Sequence, residues 1–574
     1  MTALGIDLGT TFSCAFTHTG GDLVAVEVFH GSRIFRSAVL IENGKWYLKR
    51  PDDAPDGQRI HVSLAKRLIG RTGCDGQLVE DASLVGHSRT STTGGFYNIA
   101  GDTILPEEVS AFILGRIRKK VAAFELSGCV LAVPAYFTFL QREATKDAAQ
   151  IAGFDRSEVT LVPEPVAALV SFIFDKRAPT ETSLDGYWFV IDIGGGTADV
   201  TIADVDGTEK TFVVVATSGD NALGGIHFDE ELRYLVLNKV NSDNLDAGLN
   251  IDNCDMALVT AACERAKEEL SETTETEVRV RSMTGDSFTT TVTRQEAEQA
   301  WKESGGRMAP MERIKDLFAR ALEAPNVANI GQIPNVLIAG GVGNMPCVRN
   351  LINDMLPSAR IHLSHLSEAI GRGAAYISND PDILITEVTP RGIGISMNED
   401  EMGFVVHRNQ AVPASSEEVF CTPCDNAEKI DIIVFEGDHP IASKNIELGR
   451  FVIRDIPPCP AGTRINVTVD VPELGSFNVS ARVVIMETEE SLRVEHAPRH
   501  TPDELERLRQ LTLARLDGTV PTSRVLTTTS GEQQGSVVGG KRSRSISGDG
   551  PSEDLGTKRA HHWDGNEYDA IDGL

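Results

Sequence analysis

Near the N-terminus, apolar and polar positions alternate in short runs. Leu4-Gly5-Ile6-Asp7, Thr11 to Phe16, Leu23 to Phe29 and Ser37 to Ile41 predict strands, with Gly20-Gly21 and Asn43-Gly44 as turns between them. The period then lengthens. Pro106-Glu107-Glu108 opens an amphipathic helix that runs to about Phe124, since a proline and two acids suit a helix start. Cys129 to Val133 is an apolar strand, and Phe139 to Ala152 is a second helix that Gly153 ends. Strands alternating with helices predict an α/β architecture.

The pattern then restarts. Trp188-Phe-Val-Ile-Asp192-Ile-Gly194-Gly195-Gly196-Thr197-Ala-Asp199 repeats the form of Leu4-Gly-Ile-Asp7-Leu-Gly9-Thr10-Thr11: a strand, a glycine turn after an aspartate, a strand. This predicts an internal duplication, two lobes that each offer one phosphate-facing hairpin. A third glycine loop, Ile338 to Pro346 with Gly340, Gly341 and Asn344, closes a strand and precedes a helix. Near Pro381 the composition shifts. Ile383-Leu384-Ile385 is a short apolar run between prolines, and the chain beyond it is strand-rich: Gly403 to His407, Val419 to Thr422, Ile430 to Phe435, Arg464 to Val469 and Phe477 to Val484. Thr501-Pro-Asp-Glu starts one capped helix to about Leu516, and a Ser-, Thr- and Gly-rich stretch follows. The expected layout is a two-lobed domain over 1–380, a linker over 381–388, an all-β sandwich over 389–500, a short helix over 501–517 and a disordered tail over 518–574.

Composition narrows the function. A length of 574 residues exceeds what one core usually holds. A net charge of -29 argues against nucleic acid as the main partner, because phosphate backbones need a basic face. The nine cysteines predict free thiols in a reducing compartment, not a disulfide framework or a zinc site. Met1 to Asp7 has no basic leader, and no run is long and apolar enough to span a bilayer. The expected location is the cytoplasm, with a weak nuclear-import motif at Lys541-Arg542 and Lys558-Arg559.

The two glycine turns carry the chemistry. Glycine lets backbone N–H groups approach an anion, and neighbouring hydroxyls add donors. The aspartates beside them suit Mg²⁺ held through water and a proton taken from an attacking water. No GxxxxGK[ST] loop is present, so the chain is not a P-loop enzyme.

These residues resemble the heat-shock protein 70, or DnaK-type, chaperone family. The likeness runs to about residue 500 through Gly5-Ile-Asp-Leu-Gly-Thr-Thr11, Ala65-Lys-Arg-Leu-Ile-Gly70, Val133-Pro-Ala-Tyr-Phe137, Gln141 to Asp147, Glu164-Pro165, Leu223-Gly-Gly225, Cys263 to Lys267 and Glu368 to Ala375. It implies an actin-like ATPase joined to a β-sandwich that binds extended apolar peptides. ATP or ADP, Mg²⁺ and K⁺ would be the cofactors. Unfolded clients, a J-domain co-chaperone and an exchange factor would be the partners.

Residue by residue, the resemblance implies that Asp7, Asp192 and Asp199 line the metal and water site, largely through water. Gly9, Thr10, Thr11, Gly194, Gly195, Gly196 and Thr197 would hold phosphates. Lys66 would face the γ-phosphate, although from its residue type alone it reads as a solvated helix lysine. Glu164 would orient water. Glu264, Lys267 and Ser271 would contact ribose and base, although alone they read as a solvated helix face. Pro134, Arg142, Leu384 and Ile385 would couple the domains. Ile395, Phe420, Ile430 and Ile432 would line the peptide cleft, with sandwich core as the equal alternative for each. Three departures matter. Val342, Asn344 and Glu268 stand where the family stacks or contacts the base, Asn398 and Pro423 replace the residues that arch over the peptide, and the helical lid is cut to one helix. The alternative function is a nucleotide-binding holdase or exchange-factor-like relative with little turnover.

Overall fold

The structure, a computed structural model, describes residues 2–519 apart from segments 50–59, 73–84, 176–183, 244–253, 304–307, 328–332, 486–489, 493–499 and a few single or paired positions. The expected tail from 520 onward and its basic motif lie outside the described residues.

Two six-stranded sheets carry the duplication. In the first, parallel strands Val159–Pro163, Leu126–Val133 and Thr2–Leu8 are followed by antiparallel Phe12–Thr19, whose outer edge takes Asp22–Ala25 and Ile34–Arg36 end to end. In the second, parallel Arg360–Leu363, Asn335–Ala339 and Gly186–Ile193 are followed by antiparallel Ala198–Asp206 and Thr211–Asp220. Strand for strand the order is the same, which is the repeat expected from the two hairpin motifs. The central strands are buried on both faces: Leu4, Ile6, Val190 and Ile191 are inaccessible to solvent, as strands covered by helices on both sides must be.

The second sheet has a further strand. Leu384–Thr386 pairs in parallel with Thr211–Val213. The apolar run between the prolines is therefore docked as an edge strand, not left as a free tether. The alternation of a strand sets its burial: Ile383 is 8% exposed and Ile385 packs on the core between the lobes, whereas Leu384 points outward at 60%.

Beyond it, four-stranded sheets Met402–Val406, Ile393–Ser396, Ile430–Glu436, Ile446–Ile453 and Ala414–Cys421, Arg464–Glu473, Ser476–Val483, Glu490–Leu492 face each other over a shared apolar core. Strands Ile393–Ser396 and Ile446–Ile453 escaped the sequence reading. Gly394 and Gly449 interrupt their apolar alternation.

The sandwich is packed against the rest of the chain. Phe139, first residue of the helix Phe139–Ile151, enters its core and meets Phe477 edge-on at 5.0 Å. Glu436 of the sandwich accepts from the Phe139 N–H at 3.1 Å, so a sandwich side chain caps an N-terminal donor that this helix cannot pair internally.

The helix Pro502–Leu516 forms with the capping box seen in its sequence. As what remains of a helical lid it would lie by the peptide cleft, but it packs elsewhere. Leu505, Leu508 and Leu516 join the core of the first lobe. Arg515 pairs with Glu108 at 2.8 Å, both nearly inaccessible, and lies 4.1 Å from the Trp46 ring centroid. A side chain at Gly115 would strike Leu516 at 2.5 Å, so the absence of a Cβ there makes room for the helix.

Candidate functional site

The two glycine turns face each other. A Cβ built on Gly195 would lie 1.9 Å from Thr11 Oγ1, and one on Gly196 would lie 2.5 Å from Thr10 Cγ2. Only glycine allows that approach between a turn of one lobe and a turn of the other. The third loop closes behind them: Gly340, at φ 76°, brings its backbone against Ile193 O and Asp192.

Around these turns four carboxylates gather with one ammonium. Asp7, Glu164, Asp192 and Asp199 are 9% exposed or less, and so is Lys66, which forms a buried ion pair with Glu164. Lys66 follows a left-handed residue, Leu64 at φ 61°, that starts the short helix Ala65–Leu68. That turn drives it inward, so the reading as a solvated lysine fails. Burial pulls the Lys66 ammonium down, but the charges of Glu164, Asp7 and Asp192 outweigh it and hold its pKa above the ordinary value. Burial, then the Glu164 charge, pushes Asp7 up to about 7 and Asp199 up to about 8. The same two causes lead in raising Asp192.

Four acids against one base is an excess of negative charge that a cation would relieve. Asp7 Oδ1, Asp199 Oδ2 and Thr11 Oγ1 are buried without a hydrogen-bond partner, which fits groups awaiting a ligand. No group of three or more acidic, His or Cys side chains among the described residues converges to hold an ion directly. Carboxylates placed this way would suit a cation held through water.

Beside the turns lies a cavity of about 340 Å³ bordered by Thr10, Thr11, Gly194, Gly195, Glu264, Lys267, Ser271 and Gly341. Gly9, Gly196, Gly340 and Asn344 are absent from its wall, and Asn344 turns away to accept from Arg349. Of the two lysines on this wall, Lys49 and Lys267, Lys267 pairs with Asp229 at 2.7 Å and donates to Gly225 O. A residue that sequence reasoning missed occupies the wall instead. Arg36 lies over Phe12 at 4.5 Å and reaches across the cleft to both oxygens of Glu264, at 2.8 and 3.2 Å. Nothing local marks Arg36, because its partner is 228 positions away. Arg67, donating to Gly196 O at 3.3 Å, was missed for the same reason.

The coupling residues come together. The Tyr136 N–H donates to Asp199 Oδ1 at 2.9 Å, and its hydroxyl bonds Asp438 of the sandwich at 3.1 Å. Pro134 opens this turn, its carbonyl accepting from the Phe137 N–H. Arg142 donates to Ala135 O and lies 3.8 Å from Glu387, just past the docked strand. Further along the same sheet edge, Asn409 accepts from the Thr217 N–H and Arg408 donates to Thr217 O. Side chains of the sandwich thus occupy backbone groups that an edge strand leaves open.

Ile395 and Ile432 are buried in the sandwich core, while Phe420 and Ile430 pack half-exposed at its margin. The first two follow the core alternative, and only the second two present surface to a ligand.

Comparison with known proteins agrees. Residues 3–516 match the family model described as "Hsp70 protein". The chain is 33% identical over 499 residues to "Chaperone protein DnaK" of Psychrobacter cryohalolentis, covering 83% of this chain and 75% of that protein.

Proposed function

The chain belongs to the Hsp70 family, an ATP-dependent molecular chaperone whose ATPase is coupled to protein folding, and from that premise we propose how its own residues divide the work. The nucleotide-binding part is 1–380, the linker 381–388, the peptide-binding sandwich 389–500, and the short helix 501–517. ATP and ADP bind with Mg²⁺, and unfolded client segments are the substrate.

Phosphates lie between the facing turns, held by backbone N–H groups of Gly9 and Gly194 to Gly196 and by the hydroxyls of Thr10, Thr11 and Thr197. Mg²⁺, when bound, neutralises phosphate charge and orders water beside Asp7, Asp192 and Asp199. Lys66, fixed by Glu164, faces the γ-phosphate and stabilises charge that builds as the bond breaks. Glu164 and Thr197 orient the attacking water. Asp199 in its ionised form, which a cation beside it favours, would take that water's proton. Ribose and base occupy the cavity of Glu264, Lys267, Ser271 and Gly341, with Asn344 and Gly340 behind it.

The observation that carries the coupling is the strand Leu384–Thr386 paired on the edge of the second lobe. A contact made in one nucleotide state and not in another is what lets one site bias the other. Pro134 and Arg142 would relay it from Asp199 through Tyr136 to the linker. Phe420 and Ile430, backed by Ile395 and Ile432, would meet the apolar peptide. We further propose K⁺ beside Mg²⁺, a J-domain co-chaperone and an exchange factor as partners, and a cytoplasmic location.

The test is single-turnover hydrolysis with and without an apolar peptide. Slow turnover that peptide accelerates is expected. Bound ATP that is never cleaved would mark a holdase instead.

A further inference from the structure

The nine cysteines were read as isolated thiols, and that reading overlooked one close pair: Cys421-Thr422-Pro423-Cys424 is a C-x-x-C sequence. The structure separates this pair from the rest. Cys14, Cys129, Cys254, Cys263, Cys347 and Cys459 are buried, whereas Cys421 and Cys424 are the exposed cysteines among the described residues. Burial pushes the thiols of Cys129, Cys263 and Cys347 up to about 12, which leaves them inert.

The loop that carries the pair is built to hold it outward. Cys421 ends the strand Ala414–Cys421, and the chain bends at Pro423 and Cys424. Between the two cysteines, Thr422 is only 3% exposed. Its N–H donates to Thr463 O at 2.9 Å and its carbonyl accepts from Gly462 at 3.0 Å. Its hydroxyl bonds Pro460 O and accepts from the Thr463 N–H. On the far side, Asp425 accepts from Ala461 and the Asn426 N–H donates to Cys459 O, both at 2.7 Å. The segment is thus pinned on both sides of Cys424 while both thiols face solvent. Among the described residues, no third acidic, His or Cys side chain joins them in a group able to hold a metal. Two exposed thiols three positions apart, with no metal site, have thiol–disulfide exchange as their available chemistry.

We infer that Cys421 and Cys424 form a redox couple that reacts with small disulfides such as oxidised glutathione. One cysteine thiolate attacks a sulfur of the small disulfide, forming a mixed disulfide and releasing one thiolate. The second cysteine thiolate attacks the protein sulfur of that mixed disulfide and releases the other. One S–S bond is broken and one is formed. Two electrons pass from the protein to the small disulfide, and the two cysteine protons end on the two released thiols. An exposed disulfide of this kind belongs to the labile class that reductants reopen.

The consequence for peptide rests on the proposed peptide-binding role of the sandwich. Phe420, half-exposed at the margin of the core, directly precedes Cys421. With the backbone already held, closing the couple immobilises the two cysteine side chains beside Phe420 and removes freedom that a bound peptide otherwise has to quench. Oxidised protein therefore releases peptide more slowly, by a factor of roughly 2 to 10, the effect of immobilising one or two side chains.

The full-length protein is equilibrated with defined ratios of reduced and oxidised glutathione, trapped with a thiol alkylator and mapped by mass spectrometry. A Cys421–Cys424 disulfide that forms and reverses with the ratio is expected, absent in Cys421→Ser and Cys424→Ser. Release of a fluorescent apolar peptide is then timed in both redox states of the wild type and of Cys424→Ser, with slower release expected only for oxidised wild type. Thiols that stay reduced, stop at the mixed disulfide or bridge to Cys459 overturn the couple. A disulfide that forms without changing release overturns its effect on peptide. Failure of the reduced protein to bind any peptide would instead sink the peptide-binding reading, leaving the mapping to decide the couple.

Discussion

The two lobes hold the same five-strand order yet end differently. On the first sheet, the outer edge of Phe12–Thr19 is covered by two pieces, Asp22–Ala25 and Ile34–Arg36, with turns between them. On the second, the matching position is one unbroken strand, Thr211–Asp220. A broken edge offers little to pair with, whereas a continuous one is a template for another strand. The second lobe accordingly takes the linker strand and the Arg408 and Asn409 contacts of the sandwich. The first meets the sandwich through Phe139 and Tyr136 and takes the C-terminal helix through Arg515, Leu505, Leu508 and Leu516. The two lobes match in their facing turns, and the difference at one edge decides which of them pairs with the linker.

The largest effect is expected on the first lobe. Glu108→Ala leaves Arg515 buried beside Trp46 without its partner, a loss of about 3–5 kcal/mol. The helix should detach, seen as a change in Trp46 fluorescence and as new protease cleavage near Pro502. The double replacement Glu108→Gln with Arg515→Met, which removes both charges and keeps the apolar stem, should hold it far better. Equal protection in Glu108→Ala would remove the pair from the account.

The clamp is tested by Lys66→Ala, which should slow single-turnover hydrolysis about 10²–10³-fold. It should leave the linker docked, because the linker strand pairs with Thr211–Val213 and not with Lys66 or Glu164. Wild-type turnover in this variant would overturn the site.

Contact between the sandwich and the first lobe's helix Phe139–Ile151 should respond to pH. Burial raises Glu436 to about 7 from 4.5, and undocking would return it toward that ordinary value. The docked form then binds more protons, so docking is favoured at low pH and weakens as pH rises from about 4.5 to about 7. Glu436→Gln should flatten that dependence, measured by interdomain fluorescence transfer. A slope unchanged by the substitution would assign it to other groups.

The smallest effect concerns the cleft between lobes. Arg36→Ala removes a guanidinium from the cavity wall and the bridge to Glu264, and about 1 kcal/mol of such contact corresponds to roughly fivefold faster ADP release. Asn344→Arg, introduced to restore base stacking, should slow release less than its place in the sequence suggests, because Asn344 turns toward Arg349. Stopped-flow release unchanged in Arg36→Ala would leave the wall without a role for it.

What the sequence disclosed follows from the range of each interaction. The facing turns were legible because duplication writes them twice, and the docked linker because an exposed apolar run needs cover. Lys66 was legible only through family likeness, since its burial depends on Leu64 and a partner almost a hundred residues on. Arg36 on Glu264, Tyr136 between Asp199 and Asp438, and Arg408 and Asn409 on the Thr217 backbone join distant segments and leave no local pattern. The helix Pro502–Leu516 was legible as an element, but its landing surface was not, because an apolar stripe does not name its partner. Cys421 and Cys424 are legible as a C-x-x-C spacing, which a reading of all nine cysteines as free thiols passes over.

The central claim is that the second sheet's edge transmits peptide binding through the linker, and Ile385 tests it most directly. Peptide-stimulated ATP hydrolysis should be measured in Ile385→Asp, with outward-facing Leu384→Asp beside it. The account predicts that Ile385→Asp keeps its basal rate and loses stimulation, while Leu384→Asp retains more of it. Full stimulation in Ile385→Asp would contradict the account.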